Sequence, residues 1–228
     1  MSGKHSDDIS GYNKEEVEEL RDKINSTAQQ VGENVIEELE NGIIKPISLA
    51  WYAEEAQEYF ETFAEQVKAK GETIREVFDD FRSDIEKAGV EWAEKTKGAV
   101  PHLAKLDDVE LKLDVSSIKK IDALGNRGLN EYRVQAVVSG LDDVEANIKS
   151  NLSSLADELG VESAFLGHGQ AKAIQSCFVN ITSEIHKIFE YLLLGDDSLS
   201  GALKKYSEKD STTATDVAVG YNSVNIDW

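Results

Sequence analysis

Apolar side chains return every seven residues from Ala53 through Phe60, Val67, Ile74 and Phe81 to Ala88. A second row, Ala56, Phe63 and Val77, drifts toward Phe78, Ile85 and Trp92. Side chains three and four apart share one face of a helix. A seven-residue repeat keeps that face turned toward a neighbouring helix. The drift is that of a nearly straight helix, so the span reads as one long helix that needs a partner. The preceding run has the same rhythm, in Val17, Leu20, Ile24, Ala28, Val31, Val35 and Leu39. Between the two, Asn41-Gly42 is a helix stop signal and Pro46 precedes the next helix start. Two such stripes on a short connection bury each other as an antiparallel hairpin.

The second half repeats the plan. Thr96, Gly98 and Pro101 mark a boundary after the long helix. From Asp108 to Ser116, apolar Val109, Leu111, Leu113 and Val115 alternate with polar residues, which fits a short strand or an extended lead-in crossing the hairpin. Helical spacing resumes at Val134 and runs through Leu141, Ile148 and Leu155 until Gly160. A further helix carries Ile174, Phe178, Ile181, Ile185, Phe189 and Leu192 on one face. Sliding the halves by 115 residues sets Ala56 on Ala171, Phe63 on Phe178 and Ile74 on Phe189. That register is expected of a tandem hairpin, and equally of one antiparallel bundle without internal ancestry.

The fold class expected is therefore all-α: two antiparallel helical hairpins, as a four-helix bundle or an elongated coiled coil, with an irregular C-terminal tail. Residues 1–98 form the first hairpin, 99–128 a linker and lead-in, 129–205 the second hairpin and 206–228 the tail. In the tail, Val217, Val219 and Tyr221, then Val224, Ile226 and Trp228, alternate around Asn222-Ser223. Such an extended pair is marginal by itself.

Charge narrows the function classes. The net charge is -20 at pH 7, which opposes nucleic acid and anionic membrane surfaces. No apolar run is long enough to span a bilayer, so no membrane insertion is expected. The first residues lack a signal-peptide core. The single cysteine, Cys177, lies beside Phe178 in the helical pattern and is expected to be a small buried hydrophobe.

Catalytic chemistry is hard to find. The four histidines, at 5, 102, 168 and 186, form no spaced metal pair, and His186 with Glu190 reads as a surface pair. There is no nucleophile elbow and no phosphate-binding glycine loop. Paired acids such as Asp79-Asp80 and Asp142-Asp143 fall on helix faces or near helix starts. No enzyme activity, metal or cofactor is expected.

The turn S-L-A-W-Y-A followed by E-E-A-Q-E-Y-F resembles the WXG family of small helical proteins, the Esx or ESAT-type substrates of type VII secretion. That family builds helix–turn–helix hairpins with Trp-x-Gly at the turn. Trp51 matches the Trp, and Ala53 stands where the family has Gly. The resemblance covers Glu15 to Lys97 well and Val109 to Leu194 weakly, since the second turn has no Trp. The family also carries a Tyr-x-x-x-Asp/Glu motif after the hairpin, read by the secretion machinery. Tyr206 with Asp210 fits it after a hairpin, and Tyr12 with Glu16 fits the spacing alone.

The resemblance implies a non-enzymatic substrate of a type VII secretion system, or a helical targeting partner for a larger effector. Its partners would be another WXG-like protein, an effector or a second copy of itself, together with the secretion machinery. It would be secreted without a cleavable signal peptide. Trp51, Phe60, Phe63, Ile74, Phe178 and Phe189 are the expected helix-packing and partner-contact residues, with Tyr206 and Asp210 as the signal. The competing class is a structural coiled-coil scaffold, such as a phage or surface assembly protein, with the same heptads and acidity.

Overall fold

The structure, a computed structural model, describes residues 11–158, 165–166, 168–195 and 198–208. The chain is all-α, built on two helical hairpins. Helix α1 spans Lys14–Leu39 and continues through a π turn, Glu40–Ile44, into the short α2, Lys45–Ser48. Helix α3 spans Glu54–Thr96 and closes the first hairpin. The second hairpin is α4, Glu131–Glu158, and α5, His168–Leu194, and a final helix α6 covers 199–208. Four two-residue strands sit at the turns and lead-ins: β1 Gly11–Tyr12, β2 Trp51–Tyr52, β3 Gly128–Leu129 and β4 Phe165–Leu166. Of the expected tail, residues 206–208 are the end of α6 rather than irregular, and the rest, with Asp210, lies outside the described residues.

Contacts divide the chain otherwise than the order of the sequence does. One compact unit gathers Met1–Ile36, Val67–Lys112 and Asn147–Lys187, and the other gathers Glu37–Gln66, Leu113–Ala146 and Ile188–Trp228. Each unit thus draws on both hairpins. Each also carries the same local parts. In the first, β1 pairs antiparallel with β4, the turn strand of the second hairpin. In the second, β3 pairs antiparallel with β2, the turn strand of the first hairpin. Both lead-in strands are followed by a helix-capping asparagine. Asn13 Oδ1 accepts the N–H of Glu15 at 3.1 Å, and Asn130 Oδ1 accepts that of Arg133 at 3.1 Å.

In the first unit, α1 and α3 run antiparallel, with residues 109–111 and 101 as markers. A Cβ on Gly89 would lie 2.6 Å from Pro101 Cγ and 3.4 Å from Val17 Cγ1. A Cβ on Gly32 would lie 3.0 Å from Val109 Cγ1, and one on Gly71 would run into the Val109 carbonyl oxygen. So position 17 lies beside 89, and 32 beside 71. The segment 99–112 lies along the groove between the two helices as an extended strap. No strand is assigned to it, which settles the reading of Asp108–Ser116 in favour of an extended lead-in. Pro101, Leu103, Leu106, Val109 and Leu111 are buried in the groove.

The strap's backbone polar groups need partners, since it has no sheet neighbour. Helix side chains supply them. Arg82 Nη1 donates to the Leu103 carbonyl at 2.7 Å, and Arg21 Nη2 donates to that of Lys105 at 2.7 Å. Gln29 Nε2 donates to the Asp108 carbonyl at 3.0 Å. In return Glu86 accepts the N–H of Leu103 at 3.0 Å, Asp79 that of Leu106 at 3.1 Å and Asn25 that of Asp107 at 2.9 Å. Burial pushes the Asp79 and Glu86 carboxyls up, but their bonds to Arg82 and to the strap outweigh it and hold both below the usual range.

The reversal from α3 into the strap is made at Lys97, whose φ is +53°. Gly98 N–H donates to the Ala93 carbonyl at 2.9 Å, the six-to-one bond of a left-handed helix cap. A lysine pays for the left-handed backbone where glycine would not. Lys97→Gly is therefore expected to raise stability by about 1 kcal/mol, read as a higher urea midpoint at unchanged slope.

Three local expectations are corrected. Asn41-Gly42 does not stop the helix, which carries on through the π turn to Ser48. Gly42 is there because a Cβ would run into Val144 of α4, and the widened turn lies just ahead of Pro46, which has no N–H to give. Cys177 is exposed, and His186 is buried rather than a surface residue. The neighbouring Phe178 takes the inward direction instead, lying 5.8 Å from the ring of Phe78 and 5.5 Å from that of Phe81. Cys177 is accordingly expected to take up one equivalent of a thiol reagent in the folded protein, at a rate near that of the urea-unfolded chain.

Candidate functional site

The turn of the first hairpin is held by the second unit. After Ser48 the backbone leaves the helix, and Leu49 and Ala50 donate N–H groups back to Pro46 and Ile47 at 3.2 and 2.8 Å. Trp51 and Tyr52 then extend as β2, opposite Leu129 and Gly128 of β3. Two further bonds fix this end. Asn130 N–H donates to the Ala50 carbonyl at 2.6 Å, and Arg133 Nη1 to that of Leu49 at 3.0 Å.

The strand geometry sets the side chains. Successive residues point to opposite faces, so Trp51 turns in, with 3% of its surface exposed, while Tyr52 is half-buried. Trp51 packs edge-on to Phe60 at 6.5 Å, and Phe60 edge-on to Phe63 at 6.1 Å and to Tyr59 at 5.3 Å. These are preferred aromatic geometries. On the other side, the Trp51 ring meets Tyr206 of α6 at 4.6 Å, tilted by 50°. Helix α6 buries Leu199, Leu203 and Ser207 and leaves Lys204, Lys205 and Glu208 exposed. Tyr206, three residues beyond Leu203, shares the inward side.

Ala53 follows the strand and is half-buried. Its carbonyl accepts the N–H of Gln57 at 3.3 Å, so it occupies the N-cap of α3 with no side chain to bond the free N–H groups. Ala53→Ser supplies that acceptor and is expected to stabilise the fold by about 1 kcal/mol, measured by urea unfolding.

Tyr59 is the perturbed titratable group of the cluster. Burial, reinforced by the neighbouring Tyr206, pushes its phenol up to about 12. An acid whose folded value is raised stays protonated when the unfolded chain has already ionised. Its contribution to stability is whole below the ordinary phenol value near pH 10 and is lost as pH rises toward 12. Alkaline unfolding is expected to be steeper for the parent chain than for Tyr59→Phe.

Of the residues expected at the site, Trp51 and Tyr206 are thus in ring contact, and Phe60 and Phe63 lie behind them. Ile74, Phe178 and Phe189 are buried as well, the first two in the first unit. Asp210 falls outside the described residues. Tyr12, at the other fit to the motif, donates its hydroxyl to the Ala99 carbonyl. The sequence reading missed Tyr59 and the strand partner Gly128-Leu129. A signal for the latter was present, since Gly-x-Asn occurs before both hairpins, at 11–13 and 128–130.

A cleft of about 650 Å³ opens beside α6, between Glu131 and Ser139 of α4 and Lys204 and Glu208. The site as a whole is an aromatic plug with a charged rim. Among the described residues, no helix is long and apolar enough to cross a membrane. No family model, curated protein or solved structure matches the chain.

Proposed function

We propose that this chain is a non-enzymatic helical protein of a type VII secretion system, exported as a substrate or as the targeting partner of an effector. The reading rests on one observation. The turn tryptophan of the first hairpin and the tyrosine of the Tyr-x-x-x-Asp motif, far apart in sequence, share one packed site at 4.6 Å. In the WXG family that the first hairpin resembles, these are the turn and the signal. Here a single chain supplies both, so the second hairpin takes the part of a partner hairpin. Burial of Phe60, Phe63, Phe178 and Phe189 within the chain is in keeping with that arrangement.

The test is export from cells carrying a type VII system. The protein is expected in the culture medium, and to be retained in cells lacking the motor ATPase. Tyr206→Phe keeps the ring against Trp51, whereas Tyr206→Ala and Asp210→Ala remove elements of the motif. Both alanine variants should stay folded, by circular dichroism, and accumulate inside the cell. Unchanged cellular location of the parent with and without the ATPase would leave the coiled-coil scaffold as the function.

A further inference from the structure

The groove between α1 and α3 is built for an extended backbone rather than for helix packing alone. Gly32 and Gly71 face each other across Val109, and the Gly71 side leaves room only for a bare carbonyl. Among the described residues, seven polar side chains of the two helices bond the strap's main chain, three as donors and four as acceptors. Arg21 and Arg75 also face the strap's acidic pair, at 3.2 Å from Asp107 and 3.6 Å from Asp108. Each of these contacts is between the groove and residues 99–112. None depends on the strap belonging to the same chain.

The connection that makes it the same chain is weak by comparison. Residues 94–100 are exposed, and beyond the end of α3 at Thr96 the backbone is tied by the Gly98–Ala93 bond and the Tyr12 hydroxyl on Ala99. The reversal also holds Lys97 at φ +53°, a strain that ends if α3 runs straight on toward Pro101. An element with transferable contacts behind a short, strained hinge is what domain exchange requires.

We infer that the groove also receives the strap of a second copy of this chain, giving a dimer in which residues after Gly98 are exchanged about the hinge 97–99. The strap of each copy then completes the other's first unit, with the contacts unchanged. Two copies of charge -20 repel, so the exchanged dimer forms at high ionic strength and high protein concentration. The inference stands apart from the export reading, since it needs only the groove, the strap and the hinge.

Full-length chains in a Cys177→Ser background test it. One carries Asn25→Cys and the other Asp107→Cys, at positions whose side chains meet at 2.9 Å. The two are unfolded together, refolded at high salt and oxidised. Cross-linking of a chain carrying both cysteines is the reference, and each single variant alone measures random oxidation. The expected result is a covalent heterodimer well above either single-variant background, reduced severalfold by Lys97→Gly. A second chain lacking residues 98 and 99 cannot make the reversal, and should be a helical dimer by light scattering. No heterodimer above background, while the double-cysteine chain closes on itself, overturns the inference. So does a shortened chain that is helical and monomeric.

Discussion

Trp51→Ala is expected to cost about 3–5 kcal/mol of unfolding free energy, the range for truncating a large buried aromatic. The residue is 3% exposed and touches both Phe60 and Tyr206. Alanine would leave a cavity where the indole stands between Phe60 of α3 and Tyr206 of α6. Trp51→Phe should lose less than half as much, because an aromatic ring remains against Phe60. Urea unfolding followed by circular dichroism gives both values. Native-state hydrogen exchange should show amides of 203–208 losing protection in Trp51→Ala before those of α3. Loss below about 1 kcal/mol would mean that the Trp51–Tyr206 contact carries little of the site.

Arg82→Ala is expected to cost about 3 kcal/mol and to loosen the strap. The Arg82 side chain is 8% exposed and bonds Asp79 at 2.7 Å, Glu86 at 2.9 Å and the Leu103 carbonyl at 2.7 Å. Removing it strands two part-buried carboxylates and one buried carbonyl, and that penalty exceeds the net value of the ion pairs themselves. Arg82→Met, which keeps the stem, should recover only the packing share. The same cluster fixes the acid side of the stability profile. Asp79 and Glu86 are depressed in the folded state, so their contribution is whole above the ordinary carboxylate range and is lost as pH falls through their folded values. Arg82→Ala should flatten that acid limb. Equal acid sensitivity in both chains would show that other carboxylates govern it.

Helix period was legible at almost every position that mattered. Val17, Leu20, Ile24, Ala28, Val31, Val35 and Leu39 are all buried on α1, as are Phe60, Val67, Ile74 and Phe81 on α3. The drift from Val77 to Phe78 and Ile85 is also observed, since those two are buried and Val77 is not. Cys177 failed the same test because it adjoins Phe178, and a period of 3.6 gives the inward direction to only one of two neighbours. Gly42 misled for a different reason. Glycine is a helix stop by backbone preference, but here it serves a side-chain contact with Val144, which is distant in sequence.

Sequence by itself determined the helices, their inward faces, the acidic surface and the alternation of Val109, Leu111 and Leu113, because each follows from spacing along one chain. Only tertiary structure decided what that alternation means. Period two states that side chains point to opposite sides, and leaves open whether a strand or a pair of helices satisfies the backbone between them. The answer lay in Arg21, Gln29, Arg82, Asp79 and Glu86, on helices whose own pattern gives no hint of a strap. The contact of Trp51 with Tyr206 was decided in the same way, by packing between residues that no local preference couples.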